Sequence, residues 1–284
     1  MIAGFPVQKC AVLADPRPKN KTKTIMKAMS LFERQCAELG LSYESFIGVP
    51  LSEISPSDDV DVFVVLGGDG TMIHYAGPLS HFGIPFYGLN YGHVGFMMNT
   101  VEPQMERNLA RLANGAFGMW QFPLLEVDAT DLKGNPHHGY GLNDIYLQRM
   151  TSQTCKLRLS INKVPLAFNP VLCDGVIVSN PLGSTAYSFN VTGSVVSIDC
   201  KALTLTPIAA NRTCPIKSLI LPMDATIEIE VLEPTKRKVL IVSDATNHGN
   251  IARAEIKASP KTVRLCFSTD TSNLPLALVN KCKI

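Results

Sequence analysis

The chain has no surplus of charge of either sign: 26 lysines and arginines face 24 aspartates and glutamates, a formal net charge of +2. That removes any electrostatic argument for nucleic acid or an acidic membrane surface. The one basic cluster, Lys236-Arg237-Lys238, reads as a solvated turn before a Val239 to Val242 strand. No stretch reaches the roughly 20 uninterrupted apolar residues of a membrane helix. Met1 to Leu13 lacks an apolar signal segment and runs into Asp15-Pro16-Arg17-Pro18-Lys19. A soluble, cytoplasmic protein is expected. The cysteines at 10, 36, 155, 173, 200, 214, 266 and 282 form no C-x-x-C pair and have no histidine at zinc spacing, so they read as buried or partly buried free thiols. His137-His138, between Gly134-Asn135-Pro136 and Gly139, reads as an exposed turn, and no metal-ligand cluster is visible.

Two nucleotide-binding signatures are missing as well. Without GxxxxGK followed by Ser or Thr, a triphosphate cannot be held by a P-loop lysine. Without G-x-G-x-x-G after the first strand and an acid about 20 residues on, the pattern of an NAD-dependent dehydrogenase fails too. No internal repeat or low-complexity tract is present.

What the chain has is a change of periodicity along its length. Ala11 to Ala14 reads as a strand, and Ile25, Met29, Phe32, Cys36 and Leu39 recur at helical spacing up to Gly40, which suits a left-handed helix end. Strands are expected over Ser42 to Ile47, Asp61 to Leu66 and Ile84 to Leu89, then a helix outlined by Pro103, Met105, Leu109 and Leu112 that ends near Gly115. That is a doubly wound, Rossmann-like α/β pattern. Past about residue 118 short strands take over, at Phe122 to Asp128, Gly141 to Leu147, Leu157 to Ile161, Asp174 to Ser179, Ile227 to Val231, Val239 to Val242 and Val263 to Phe267. The expected division is an α/β domain over 1–99 and an all-β domain over 100–267.

The chemistry concentrates at Asp61-Val-Phe-Val-Val-Leu-Gly-Gly-Asp-Gly-Thr71. Val62, Val64, Val65 and Leu66 suit a strand buried on both faces, and ligands of open α/β sheets sit at the carboxyl ends of such strands. Gly67, Gly68 and Gly70 let a polyphosphate approach backbone N–H groups, and Asp69 can hold a divalent metal or take a proton from a hydroxyl. The same residues also suit a Gly-rich hairpin turn.

Gly67-Gly68-Asp69-Gly70-Thr71 resembles the GGDGT signature of a kinase superfamily that includes NAD, diacylglycerol and sphingosine kinases. Asp174-Gly175-Val176-Ile177-Val178-Ser179-Asn180-Pro181-Leu182-Gly183-Ser184-Thr185-Ala186-Tyr187-Ser188 is similar to the DGLIVSTPTGSTAYS stretch of NAD kinases. Leu142-Asn143-Asp144 stands where that family has an Asn-Glu pair, and Gly92-His93-Val94-Gly95-Phe96 and Leu205-Thr206-Pro207-Ile208 fit as well. The chain is thereby identified as a member of the NAD kinase family, of bacterial type.

The resemblance implies an enzyme that phosphorylates the 2′-hydroxyl of the adenosine ribose of NAD with ATP and Mg²⁺, or another divalent ion carried with ATP. It implies two domains with substrate between them, the segment 268–284 returning to the first, and a homo-oligomer. Asp69 would be catalytic, with Gly67, Gly68, Gly70 and Thr71 as the phosphate loop. Gly70, His74, Phe96, Asn143, Asp144, Asp174, Leu182, Thr185, Ala186, Tyr187, Ser188, Asn190 and Ala209 would contact substrate, Asn143 and Asp144 at the adenine and ribose and Asp174 near the second nucleoside half. From the residues alone, Asp174 also suits a turn or strand cap, and Gly183 to Ser188 a helix N-terminus capped by Ser184 or Thr185. Several positions depart from the family: Asn180 and Leu182 replace threonines, Asp144 is one methylene shorter than Glu, His74 replaces Arg or Lys, and Asp244-Ala245-Thr246 stands for a DGQ-like strand. A lipid kinase and a non-catalytic nucleotide sensor are the rival readings.

Overall fold

A computed structural model of the chain describes residues 2–16, 19–91, 95–100 and 105–268. The loop residues Gly92, His93 and Val94, the start of the helix expected from Pro103, Cys282 and the returning segment from 269 onward lie outside them. The described chain forms two compact units, one of residues up to Phe122 together with those from Lys261, the other Pro123–Pro260. The chain passes between the units within two long strands, Phe117–Thr130 and Arg253–Ser268.

The first unit is built on a parallel sheet in the order Ser42–Ile47, Lys9–Ala14, Val62–Gly67, Phe86–Asn90. Leu265 and Cys266 add to its Phe86 edge, also in parallel. Both faces of the central strands are covered. Cys10, Val12, Val62 and Val64 join one apolar cluster with Ile25, Met29, Phe32 and Cys36 of the Lys19–Leu39 helix, while Ala11, Leu13, Phe63 and Val65 are equally buried on the alternate positions. This is why Val62 to Leu66 reads as a continuous apolar run. Phe63 stacks on Phe86 with ring centroids 4.9 Å apart, and each such buried side chain contributes about 1.5–3 kcal/mol. The helix ends as its sequence requires: Gly40 takes φ +68° and Leu41 N–H returns to the Cys36 carbonyl at 2.9 Å.

The second unit is a β-sandwich. A six-stranded antiparallel sheet runs in the order Leu219–Pro222, Ala202–Ile208, Gly175–Ser179, Asp144–Arg149, Val239–Ser243, Thr246–Asn250. Opposite it, Cys155–Ile161 pairs with Ile227–Val231, which pairs with Arg253–Ile256 of the last strand. Ile145, Leu147, Val176 and Val178 from the first layer share one core with Leu157, Leu159, Ile227, Ile229 and Ile256 from the second. Ile227–Val231 alternates buried and half-buried positions, the two-residue period of a strand with one face in the core.

Several elements differ from expectation. Gly141 to Leu147 is not one strand but two, Pro136–Gly141 and Asp144–Arg149, with Leu142 and Asn143 in the break. His137 and His138 therefore lie in a strand, not a turn. Ala202–Ile208 and Thr246–Asn250 are additional strands. Thr246–Asn250 is polar and contains Gly249 at φ +90°, so it carries no apolar alternation; pairing with Val239–Ser243 forms it. Cys10, Cys36, Cys155, Cys173 and Cys266 are buried free thiols and Cys214 is partly buried, whereas Cys200 is exposed.

Candidate functional site

In the first unit the Val62–Gly67 strand delivers Gly68-Asp69 to the start of the Asp69–Ala76 helix, with Gly68 as the residue before its first turn at φ −130°. The Asp69 carboxylate is held at both oxygens: Phe96 N–H donates at 2.7 Å and Met97 N–H at 3.0 Å. A negative charge in a helix's first turn is further favoured by the helix dipole. The glycines divide by environment. Gly67 is buried, and a Cβ there would run into the Thr71 side chain, so its lack of a side chain serves packing within the loop. Gly70 is exposed, with no atom of the described residues near the position of a Cβ, which leaves room for a ligand to approach its backbone. Thr71 N–H bonds the Gly68 carbonyl at 2.9 Å. Phe96 is half-buried, and His74 is exposed on the helix, its ring edge-on to Tyr75.

In the second unit the break at Leu142-Asn143 and the turn after the Gly175–Ser179 strand come together. Asn143 and Asp144 are 6% and 5% exposed, unusual for an amide and a carboxylate and a mark of a built polar site. Gly183 abuts the Asn143 main chain so closely that a Cβ would overlap its carbonyl. Asn180, 1% exposed, ties the two segments: its Nδ2 donates to the Leu142 carbonyl at 2.7 Å and its Oδ1 accepts Gly183 N–H at 3.0 Å. The residue that replaces a threonine thus has a scaffold role. We expect Asn180→Ala to lower stability by about 2–3 kcal/mol, since it orphans two buried backbone groups; urea unfolding checks this, and an unchanged midpoint would contradict it.

Leu182 is buried, Thr185 donates to the Leu182 carbonyl at 3.0 Å, and Ser188 shares a hydrogen bond with Thr206 at 3.1 Å. The helix after this turn, Tyr187–Thr192, has no side-chain cap, so neither Ser184 nor Thr185 caps it. Tyr187 faces Tyr146 edge-on at 5.2 Å, beside Asp144. Asp174 is paired with Arg149, Nε to Oδ1 at 2.7 Å and Nη2 to Oδ2 at 3.2 Å. Asn190 and Ala209 are exposed, Ala209 at φ +45° just past its strand.

Electrostatics single out Asp144. Burial, then the negative charge of Asp244, push its carboxyl up to about 7, offset in part by Tyr187 N–H. Burial also raises Asp244, opposed by the backbone N–H groups of Leu142, Asn143 and Asp144. Tyr146 and Tyr187 are both raised, by burial first and by the Asp144 charge second. Two polar groups were not among the expected site residues: Asp244, whose signal in the sequence was the Asp244-Ala245-Thr246 departure from a DGQ-like strand, and Arg149, partner of Asp174. Asn143 Oδ1 is buried with no hydrogen-bond partner among the described residues, so the amide has one acceptor to offer a ligand.

A separate cluster lies on the hairpin of this unit. Glu126, Asp128 and His138 bring ligand atoms within 4.8 Å of one another, on partly or fully exposed side chains, with His138 Nδ1 2.7 Å from Asp128. A charged groove of about 650 Å³ beside it, lined by Asp128, His138, Arg158, Glu230 and Arg253 among others, holds none of the residues expected to bind substrate.

The family models that match are those of the ATP-NAD kinase N-terminal domain, over residues 10–117, and C-terminal domain, over residues 142–266. The NAD kinase of Rickettsia bellii is 32% identical over 212 residues, covering 74% of this chain and 81% of the relative. That of Hyphomonas neptunium is 33% identical over 211 residues, with the same coverage. Among solved structures, an NAD kinase from Archaeoglobus fulgidus in complex with ATP superposes with a TM-score of 0.75 at 22% identity, over 96% of this chain and 98% of its own. Yeast NADH kinase complexed with NADH gives 0.77 at 20% identity, over 98% and 91%.

Proposed function

The chain belongs to the NAD kinase family and is an ATP-dependent NAD kinase; from that premise we propose that it phosphorylates the 2′-hydroxyl of the adenosine ribose, with Asp69 as the general base. The observation that carries the reading is the Asp69 carboxylate, fixed by two backbone N–H groups next to the open backbone of Gly70. Phosphoryl transfer needs positioning and charge neutralisation more than covalent help from the protein. The alcohol oxygen bonds to the γ-phosphorus as the bond to the β-bridging oxygen breaks, ADP leaves, and the hydroxyl proton passes to Asp69 late in the step.

Mg²⁺ is part of this proposal. Both Asp69 oxygens are engaged by backbone N–H groups, so the acid suits a metal held mostly by phosphates and water. Such an ion would neutralise developing phosphate charge.

In the second unit, Asn143 would present its free amide oxygen to the adenine, and Asp144 would accept from the ribose hydroxyls. Tyr187 offers a ring for stacking, and Asp174, already oriented by Arg149, would serve the other nucleoside. His74, Phe96, Leu182, Thr185, Ala186, Ser188, Asn190 and Ala209 complete the proposed contacts, and the cytoplasm and a homo-oligomeric state complete the reading on the strength of the family. A phosphorus NMR spectrum of the product tests it: a monoester on the 2′ carbon is expected, and one on the 3′ carbon would contradict it.

A pH dependence follows. A carboxylate accepts hydroxyl donors better than a carboxylic acid, and Asp144 holds its proton up to about 7. KM for NAD should be lowest above pH 7 and rise as pH falls below it, approaching tenfold per unit at most. Stability runs the other way: folded Asp144 keeps a proton that the unfolded chain releases near 3.8, so its contribution weakens as pH rises from about 4 through 7. A KM that is flat from pH 5.5 to 8.5 would remove Asp144 from the ribose site.

A further inference from the structure

We propose that Asp244 is the positioning residue of the adenosine subsite: from the turn joining the Val239–Ser243 and Thr246–Asn250 strands, its carboxylate gathers three consecutive backbone N–H groups and thereby sets where Asn143 and Asp144 stand. The inference rests on the assignment of those two residues to NAD.

The geometry is specific. Leu142 N–H reaches Oδ2 at 2.6 Å, and Asn143 and Asp144 N–H reach Oδ1 at 2.9 and 3.3 Å. Asp244 N–H returns to the Asp144 carbonyl at 2.9 Å, so the two segments are clasped reciprocally. Leu142 and Asn143 lie in the break between two strands, where no ladder supplies partners, and three N–H groups in a row there need an acceptor with several lone pairs. A carboxylate meets that need without offering a donor of its own. An asparagine would turn its NH₂ toward one of the N–H groups. Asp244 sits at φ +49°, a conformation uncommon outside glycine that Asp and Asn tolerate best, and the clasp holds it there.

A carboxylate also brings charge. The titratable groups that face Asp144 within this unit are Asp244 from the hairpin turn, Tyr187 from its helix and Tyr146 from Asp144's own strand. Of these, Asp244 is the one whose negative charge, after burial, raises Asp144, so it both places Asp144 and shifts the pH at which Asp144 ionises. A residue that served the fold alone would do only the first.

The test compares wild type and Asp244→Asn, which keeps size and one acceptor but loses the charge. Steady-state NADP formation is measured from pH 5.5 to 8.5, with NAD affinity by calorimetry. At pH 8 we expect KM and the dissociation constant for NAD to rise about tenfold, with kcat within a few-fold. The acid limb of kcat/KM should move to lower pH by about one unit, since the like charge is gone. An acid limb that superposes on that of the wild type overturns the inference, as does a fall confined to kcat. If wild type itself makes no NADP, the kinase reading fails first and this one with it, whereas an active wild type with an unmoved limb sinks this one alone. Should Asp244→Asn fail to fold, carboxyl ¹³C titration of the wild type decides: two linked transitions for Asp144 and Asp244 support the role, and two independent ones at ordinary carboxylate values refute it.

Discussion

Asp69→Asn should lower kcat for NADP formation by about 10²–10⁴ while leaving the dissociation constant for NAD within tenfold. Two losses act together. The amide cannot take the ribose proton. It also offers one acceptor where two backbone N–H groups, those of Phe96 and Met97, now find one oxygen each, so the NH₂ must face a donor. The second loss orphans one hydrogen bond and costs about 1–3 kcal/mol locally. Neither loss touches Asn143 or Asp144, which belong to the other compact unit, so NAD affinity serves as the internal control. Steady-state kinetics with calorimetry for NAD separate the terms. A variant with near wild-type kcat would remove Asp69 from the chemistry, and one that loses kcat and NAD affinity equally would mean that the acid binds rather than catalyses.

Gly183→Ala should be the most damaging single-methyl substitution in the site. The added carbon would overlap the carbonyl oxygen and carbon of Asn143 and approach its Cα to 2.9 Å. All three are main-chain atoms, so no side chain can swing aside. Two outcomes are open to the chain: unfold, or push the Asn143-Asp144 segment off the clasp formed by Asn180 and Asp244. Either way we expect more than about 3 kcal/mol of lost stability and at least tenfold weaker NAD binding. Urea unfolding and calorimetry check the two parts. A stable variant with normal NAD affinity would show that the turn does not support the subsite.

The two units were legible because different rules govern them. Val62 to Leu66 is buried on both faces, so its sequence carries an unbroken apolar run, and Ile227 to Val231 is buried on one, so it alternates. Among the strands that escaped notice, Thr246–Asn250 is polar and lacks such a pattern, whereas Ala202–Ile208 carries one, and the break at Leu142-Asn143 follows directly on Gly141. Asp69, Asn143, Asp144 and the Gly183 turn were visible through short motifs whose residue types follow from their chemistry. Asp244 was visible as the start of a departure from a DGQ-like strand but its role was not, because its partners are backbone N–H groups about a hundred residues away, and main-chain donors leave no trace in a sequence. Asn180 looked like the loss of a hydroxyl. Only the positions of Leu142 and Gly183 reveal it as a cross-link.

The measurement that bears most directly on the whole account is NADP formation by purified protein from NAD and Mg-ATP, read through an NADP-specific dehydrogenase with ADP release followed in parallel. Equal amounts of NADP and ADP, abolished when NAD is replaced by its analogue lacking the adenosine 2′-hydroxyl, are the predicted result. Measurable NAD binding with no NADP from any phosphoryl donor would contradict it and leave a nucleotide sensor in place of a kinase.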